Sequence, residues 1–196
     1  YRKEFTVPAH SKGRHILIDF EGVMTYAKVY VNSQYVGEHK GGYTPFSFDI
    51  TELVEEDKTN LLAVMVDSTE RPDIPPFGYV IDYLTYGGIY REVSLRIVDN
   101  VYIENAHIRT GAVLEDRKSI SASVYCTNTT GAEQQAKMKL VLRDGERIVA
   151  EKSLEVVIGK SSEEVLNIEI DGIENIDLWY IDSPKLYDAE IRLESD

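Results

Sequence analysis

The feature that most constrains this chain is its rhythm. Apolar residues return at every second position in short runs, and polar residues or Gly, Asn, Asp and Pro stop each run. A period of two puts alternate side chains on one face of an extended strand, whereas a helix needs a period near 3.6. Residues 15–20 set Ile16, Ile18 and Phe20 on one face, with Leu17 opposite. Residues 26–31 and 35–39 flank Asn32-Ser33, which predicts a hairpin. Residues 45–50 place Phe46, Phe48 and Ile50 together, and residues 51–57 could form one helical turn. The most apolar run, 60–67, is short and bounded by polar residues, which predicts a buried strand. Residues 1–7 alternate more weakly, and no long amphipathic helix interrupts the pattern.

The rhythm breaks over residues 68–88. This stretch holds Pro72, Pro75 and Pro76 with Phe77, Tyr79, Tyr83 and Tyr86, and Tyr90 lies just beyond. A connection this long in a compact domain is usually functional or disordered, and this composition predicts an ordered, wall-like loop. Alternation resumes over 93–98, stops at Asp99-Asn100 and restarts at Val101, so domains are expected over 1–99 and 100–196. Beyond the boundary, alternating runs recur at 101–103 with 106–108, 119–127, 136–143, 148–157, 164–170 and 187–193, with a hairpin turn at Asp144-Gly145. About seven short strands with turns every 8–12 residues predict an immunoglobulin-like sandwich, here without the Cys-Trp-Cys spacing of antibody domains. The fold class is therefore all-β, and two domains of this size can bury adequate cores.

A net charge of −13 argues against nucleic acid, whose phosphates need a basic stripe. It is compatible with a neutral substrate such as a sugar. No apolar run approaches the roughly 20 residues of a membrane-spanning helix. Cys126 lies in an alternating run and is expected to be a buried, reduced thiol, so no disulfide framework points to the cell exterior. The cytoplasm is the expected location. Secretion or export to the periplasm stays open, because the chain starts without Met at Tyr1 and looks cut from something longer. His10, His15, His39 and His107 have no metal-ligand spacing, and no nucleophile-elbow motif occurs.

The segment Asp82-Tyr83-Leu84-Thr85-Tyr86-Gly87-Gly88-Ile89-Tyr90-Arg91-Glu92-Val93 resembles one in the first domain of glycoside hydrolase family 2 enzymes. Those enzymes include β-galactosidases, β-glucuronidases and β-mannosidases. Tyr1-Arg2-Lys3-Glu4-Phe5, Val29-Tyr30-Val31-Asn32 and the stretch from Gly37 to Phe46 resemble that domain's opening strand, hairpin and following loop. Leu178-Trp179 and Ser183-Pro184-Lys185-Leu186-Tyr187 resemble the closing motif of the family's immunoglobulin-like domain, with Tyr180 and Asp182 as atypical neighbours. The resemblance implies an eight-stranded jelly roll followed by an immunoglobulin-like sandwich.

It also implies roles. The matching Asp82 projects into the pocket of a following barrel, where it accepts hydrogen bonds from sugar hydroxyls or helps to hold a cation. Phe77, Tyr83 and Tyr86 are candidates for an apolar wall against a sugar ring. Arg91 is expected to fork onto a buried carboxylate, and Gly41-Gly42 to mark a close backbone approach. No residue here is assigned a catalytic or metal-ligating role.

A retaining glycosidase needs an acid and a nucleophile about 5–5.5 Å apart. In the family both are glutamates on a TIM barrel, a fold of about 250 residues. After two sandwiches no residues are left for one, so residues 1–196 alone are expected to hydrolyse no glycoside. The parent is expected to be a β-galactosidase, with a β-glucuronidase as the alternative, acting on carbohydrate as a possible homo-oligomer. An autonomous carbohydrate-binding module and a ligand-free structural pair of sandwiches stay open.

Overall fold

The computed structural model describes residues 1–78 and 82–195. It divides into two compact units, Tyr1–Asp99 and Asn100–Asp196. Tyr79 and Asp196 lie outside the described residues.

The first unit contains β1 (Arg2–Thr6), β2 (His15–Phe20), β3 (Val23–Met24), β4 (Tyr26–Val31), β5 (Gln34–Lys40), β6 (Phe46–Asp49), β7 (Thr59–Asp67), β8 (Gly88–Ile89) and β9 (Val93–Val98). They form a four-stranded sheet β1-β7-β4-β5, a three-stranded sheet β6-β2-β9 and the short pair β3-β8. Every pairing is antiparallel. The resemblance implied eight strands, and nine appear among the described residues because the two-residue β3 and β8 pair locally.

Alternation explains the core. Ala27, Val29 and Val31 of β4 point inward, with Ile16, Ile18 and Phe20 of β2 in the same cluster. Phe20 stacks on Phe46 at 4.7 Å between ring centres. Asn32 and Ser33 both take positive φ, 49° and 69°, as a two-residue hairpin turn requires. The most apolar run differs from expectation. β7 buries Leu62 and Val64, but Met65 is exposed. The strand is central, between β1 and β4, yet only one of its faces meets the core.

A buried polar hub ties the elements together. The Asn60 side chain is sealed from water; its oxygen accepts from Asn32 Nδ2 at 2.8 Å and Glu55 N at 2.8 Å, and its Nδ2 donates to the Glu55 and Lys58 carbonyls. Asn32 in turn donates to Leu53 O and accepts from Leu61 N, so the β4–β5 turn is bonded to β7 and to the helical turn Thr51–Leu53. In the other sheet, Arg96 of β9 forks onto Asp19 of β2 at 2.9 and 3.1 Å. Burial works to raise the Asp19 carboxylate, but the hydrogen bonds from Arg96 and Ser47 outweigh it and hold it below its ordinary value. The carboxylate partner expected for Arg91 is absent among the described residues. Arg91 lies over the Tyr90 ring and donates to the Glu21 carbonyl, and Arg96 makes the carboxylate fork instead.

The second unit contains β10 (Val101–Gly111), β11 (Lys118–Asn128), β12 (Gln134–Asp144), β13 (Arg147–Ile158), β14 (Ser162–Ile173) and β15 (Asp188–Ser195). The sheets β10-β11-β14 and β13-β12-β15 face each other over a single apolar cluster. Six long strands replace the expected seven short ones among the described residues. β10 runs through a bulge between Ile103 and Asn105, and the connection before β15 holds only the isolated bridge Tyr180–Ser183. Cys126 is in this core, and burial pushes its thiol up to about 11, so it stays protonated and inert.

Replacing Asn60 by Leu leaves the Asn32 amide and the Glu55 N–H without their buried acceptor. The expected cost to the first unit is about 2–4 kcal/mol, read as a lower urea midpoint. An unchanged midpoint would show that the hub contributes nothing.

Candidate functional site

The connection from β7 to β8 leaves and returns by different kinds of contact. The outgoing arm is fastened down. Ser68 Oγ donates to Met24 O at 2.9 Å, and Thr69 N to Asp67 Oδ1 at 2.9 Å. Ile74 is buried, and Gly78 N donates to Glu70 at 2.7 Å. Asp73 receives Lys40 at 2.9 Å and Arg71 at 3.1 Å, which bring its carboxyl down to about 2. Arg71 also lies over the Tyr26 ring, so this arm is tied to the β4–β5 hairpin. The sequence reading found neither Ile74 nor Asp73. A lone Asp-Ile pair among prolines carries no periodic signal.

The returning arm is open. Asp82, Tyr83, Leu84, Thr85 and Tyr86 are all exposed, as is Phe77 on the other side of the undescribed stretch. Among the described residues, no donor or cation reaches the Asp82 carboxylate. The neighbouring Tyr83 hydroxyl pushes the Tyr43 phenol above its ordinary value, so the Asp82 arm passes close to the Gly41–Phe46 segment. Tyr43 meets Tyr90 edge to face at 6.5 Å, and the Tyr90 hydroxyl donates to Gly42 O. The sequence places Tyr43 in a turn of close backbone approach but does not show its aromatic partner, Tyr90, which lies far along the chain.

Glycines set the closing geometry. A Cβ on Gly42 would stand 2.4 Å from the Met24 sulfur, so a larger residue here would have to push the end of the Met24 side chain aside. Gly88 has φ +100°, and a Cβ there would meet the Tyr1 hydroxyl at 2.2 Å. A cleft of about 270 Å³ lies between the two arms, lined by Met24, Thr25, Ser68, Glu70, Thr85 and Gly87 among others. Asp82, Phe77, Tyr83 and Tyr86 do not line it.

The chemistry on offer is limited and specific. An exposed carboxylate can accept from hydroxyls, and exposed aromatic faces can cover a sugar ring. Among the described residues no three His, Cys, Asp or Glu side chains gather around a metal-sized space. The histidines are placed elsewhere: His15 on Asp49 at 2.9 Å, His39 stacked on Phe46 at 4.3 Å, and His107 against Tyr125 at 5.3 Å.

Comparison with known proteins decides the family. The model of the glycosyl hydrolase family 2 sugar-binding domain matches residues 1–98, and a second family 2 model matches residues 101–196. The chain belongs to glycosyl hydrolase family 2. It is 41% identical to a β-galactosidase of Thermoanaerobacterium thermosulfurigenes over 99% of its length, and covers 27% of that protein. It is 29% identical to a β-glucuronidase of Bacteroides fragilis, covering 29% of it. A Bacteroides uniformis β-glucuronidase 2 structure superimposes with a TM-score of 0.89 at 27% identity over 99% of this chain and 24% of that one. The family 2 chain described here thus spans about a quarter of the length of these relatives.

Gly88→Ala should strain the backbone and displace Tyr1, at a cost of about 1–3 kcal/mol to the first unit. Gly131→Ala, with open space around it, should cost far less. Thermal melts of both variants check this, and equal melting temperatures would contradict it.

Proposed function

We propose that the chain is the amino-terminal, non-catalytic part of a retaining family 2 β-glycosidase that hydrolyses a β-galactoside. In this reading Asp82 reaches the sugar pocket of a TIM barrel formed by the rest of the polypeptide. The observation that carries the galactoside over other sugars is the 41% identity to the Thermoanaerobacterium thermosulfurigenes β-galactosidase, with 39% to that of Thermoanaerobacter pseudethanolicus. A β-glucuronidase is the second reading, favoured by the close superposition on Bacteroides uniformis β-glucuronidase 2.

The division of labour follows from the chemistry. Protonating the leaving oxygen and attacking the anomeric carbon need paired carboxyl groups about 5–5.5 Å apart. The rest of the polypeptide supplies that pair. Asp82 supplies orientation: an ionised carboxylate accepts strongly from a hydroxyl, and the bond tightens as the ring distorts. Phe77, Tyr83 and Tyr86 present exposed aromatic faces. A cation at Asp82 would need further ligands from the rest of the polypeptide, because one carboxylate does not hold an ion by itself.

In the complete enzyme, Asp82→Asn weakens a charge-assisted hydrogen bond of about 1.5–3 kcal/mol. A roughly 10- to 100-fold fall in kcat/KM should follow, with the melting temperature nearly unchanged. Kinetics on nitrophenyl β-galactoside and β-glucuronide read both the role and the sugar. Unchanged kcat/KM would remove Asp82 from the pocket, and turnover of the glucuronide alone would move the assignment to β-glucuronidase.

A further inference from the structure

The cleft between the two arms of the β7–β8 connection has the size and the lining of a small-molecule site. Its volume of about 270 Å³ falls just below the roughly 300–1,000 Å³ of drug-sized sites, which leaves room for one small ring. The wall is mixed. Ile74 and Pro76 give an apolar side, and Thr25, Glu70, Arg71 and Thr85 a polar one.

These polar groups have capacity to spare. Thr25 is 6% exposed, yet among the described residues its hydroxyl meets only the Met24 sulfur, at 2.7 Å. A thioether is a weak acceptor, so a hydroxyl buried there gains from a ligand oxygen that takes its proton. Glu70 accepts from Gly78 N with one oxygen, and no donor or cation among the described residues engages the other. The Thr85 hydroxyl has no hydrogen-bond partner among the described residues. Arg71 spends its Nε on Asp73 at 3.1 Å, which leaves its terminal nitrogens as donors.

The same groups select a ligand class. A carboxylate accepts hydroxyl protons, a threonine hydroxyl donates and accepts, and an apolar side suits the C–H face of a pyranose. An anion meets Glu70, while the cation of the wall, Arg71, is already paired with Asp73. A metal ion meets a single carboxylate, too few ligands to hold it. We propose that this cleft binds one neutral hexose, which bridges Glu70 on the outgoing arm and Thr85 on the arm that bears Asp82. The source of that hexose rests on the reading of the chain as part of a β-galactosidase, whose reaction releases galactose.

The test is a galactose titration of the complete enzyme, followed by ligand NMR, after its catalytic pocket has been trapped with 2-deoxy-2-fluorogalactosyl fluoride. Saturable galactose binding should persist. Glu70→Gln and Thr25→Val should each weaken it about 10-fold, and glucuronic acid should not compete. Loss of all galactose binding on trapping would overturn the proposal. So would binding that neither substitution weakens, or that glucuronic acid displaces. Thr25 is buried, whereas Glu70 is exposed and a glutamine there still accepts from Gly78 N, so a folding defect in the first variant leaves the second to decide. An enzyme that the fluoride does not trap and that hydrolyses no β-galactoside defeats the functional reading. The same titration of that untrapped enzyme, with and without the two substitutions, still decides the cleft.

Discussion

The arm that bears Asp82 depends on one close approach: Gly42 against Met24, with the Tyr90 hydroxyl on the Gly42 carbonyl. Met24 also receives Ser68 at the start of the β7–β8 connection and pairs with Gly88 at its end. Both ends of the connection are therefore fixed to β3, a strand of two residues. Between those ends the outgoing arm is secured by ion pairs to Asp73 and by buried Ile74. The returning arm carries Tyr83 beside Tyr43 and leaves the neighbouring carboxylate exposed. A scaffold of this kind presents a polar group without using it internally, which is what a loop serving a neighbouring surface requires.

The two units share a physical economy. Each has an asparagine sealed in its interior that satisfies several backbone groups where the chain turns. Asn60 does this in the first unit, and Asn128 in the second, where it donates to Ala132, Ile158 and Gly159 carbonyls and accepts from Thr130. Turns in sandwiches leave backbone groups unpaired near the core, and an amide can donate and accept at once. Such residues break the apolar alternation at the points where the fold most needs them.

Local periodicity made much of the fold legible. Ile16, Ile18 and Phe20, and Ala27, Val29 and Val31, lie on the faces that alternation assigns to them, and Asn32-Ser33 makes the expected turn. What alternation cannot see is the partner across the sheet. Met65 reads as core but faces outward, and the carboxylate fork belongs to Arg96, which pairs with Asp19 from β2. At the candidate site, Asp82 was singled out through resemblance alone, since an acidic loop residue has no periodic signature. Local patterns cannot show the partners of Tyr43 or the Lys40 partner of Asp73, because Tyr90 and Lys40 lie some 30 to 50 positions away along the chain.

The central question is whether the Asp82 arm reaches a sugar in the complete enzyme. A crystal structure of that enzyme with galactose or a covalent sugar inhibitor in its pocket would show this directly. The expected result is an Asp82 carboxylate oxygen within about 2.5–3.0 Å of a hydroxyl of the terminal ring. An Asp82 side chain turned away from the pocket, with the ring held wholly by the rest of the polypeptide, would contradict it.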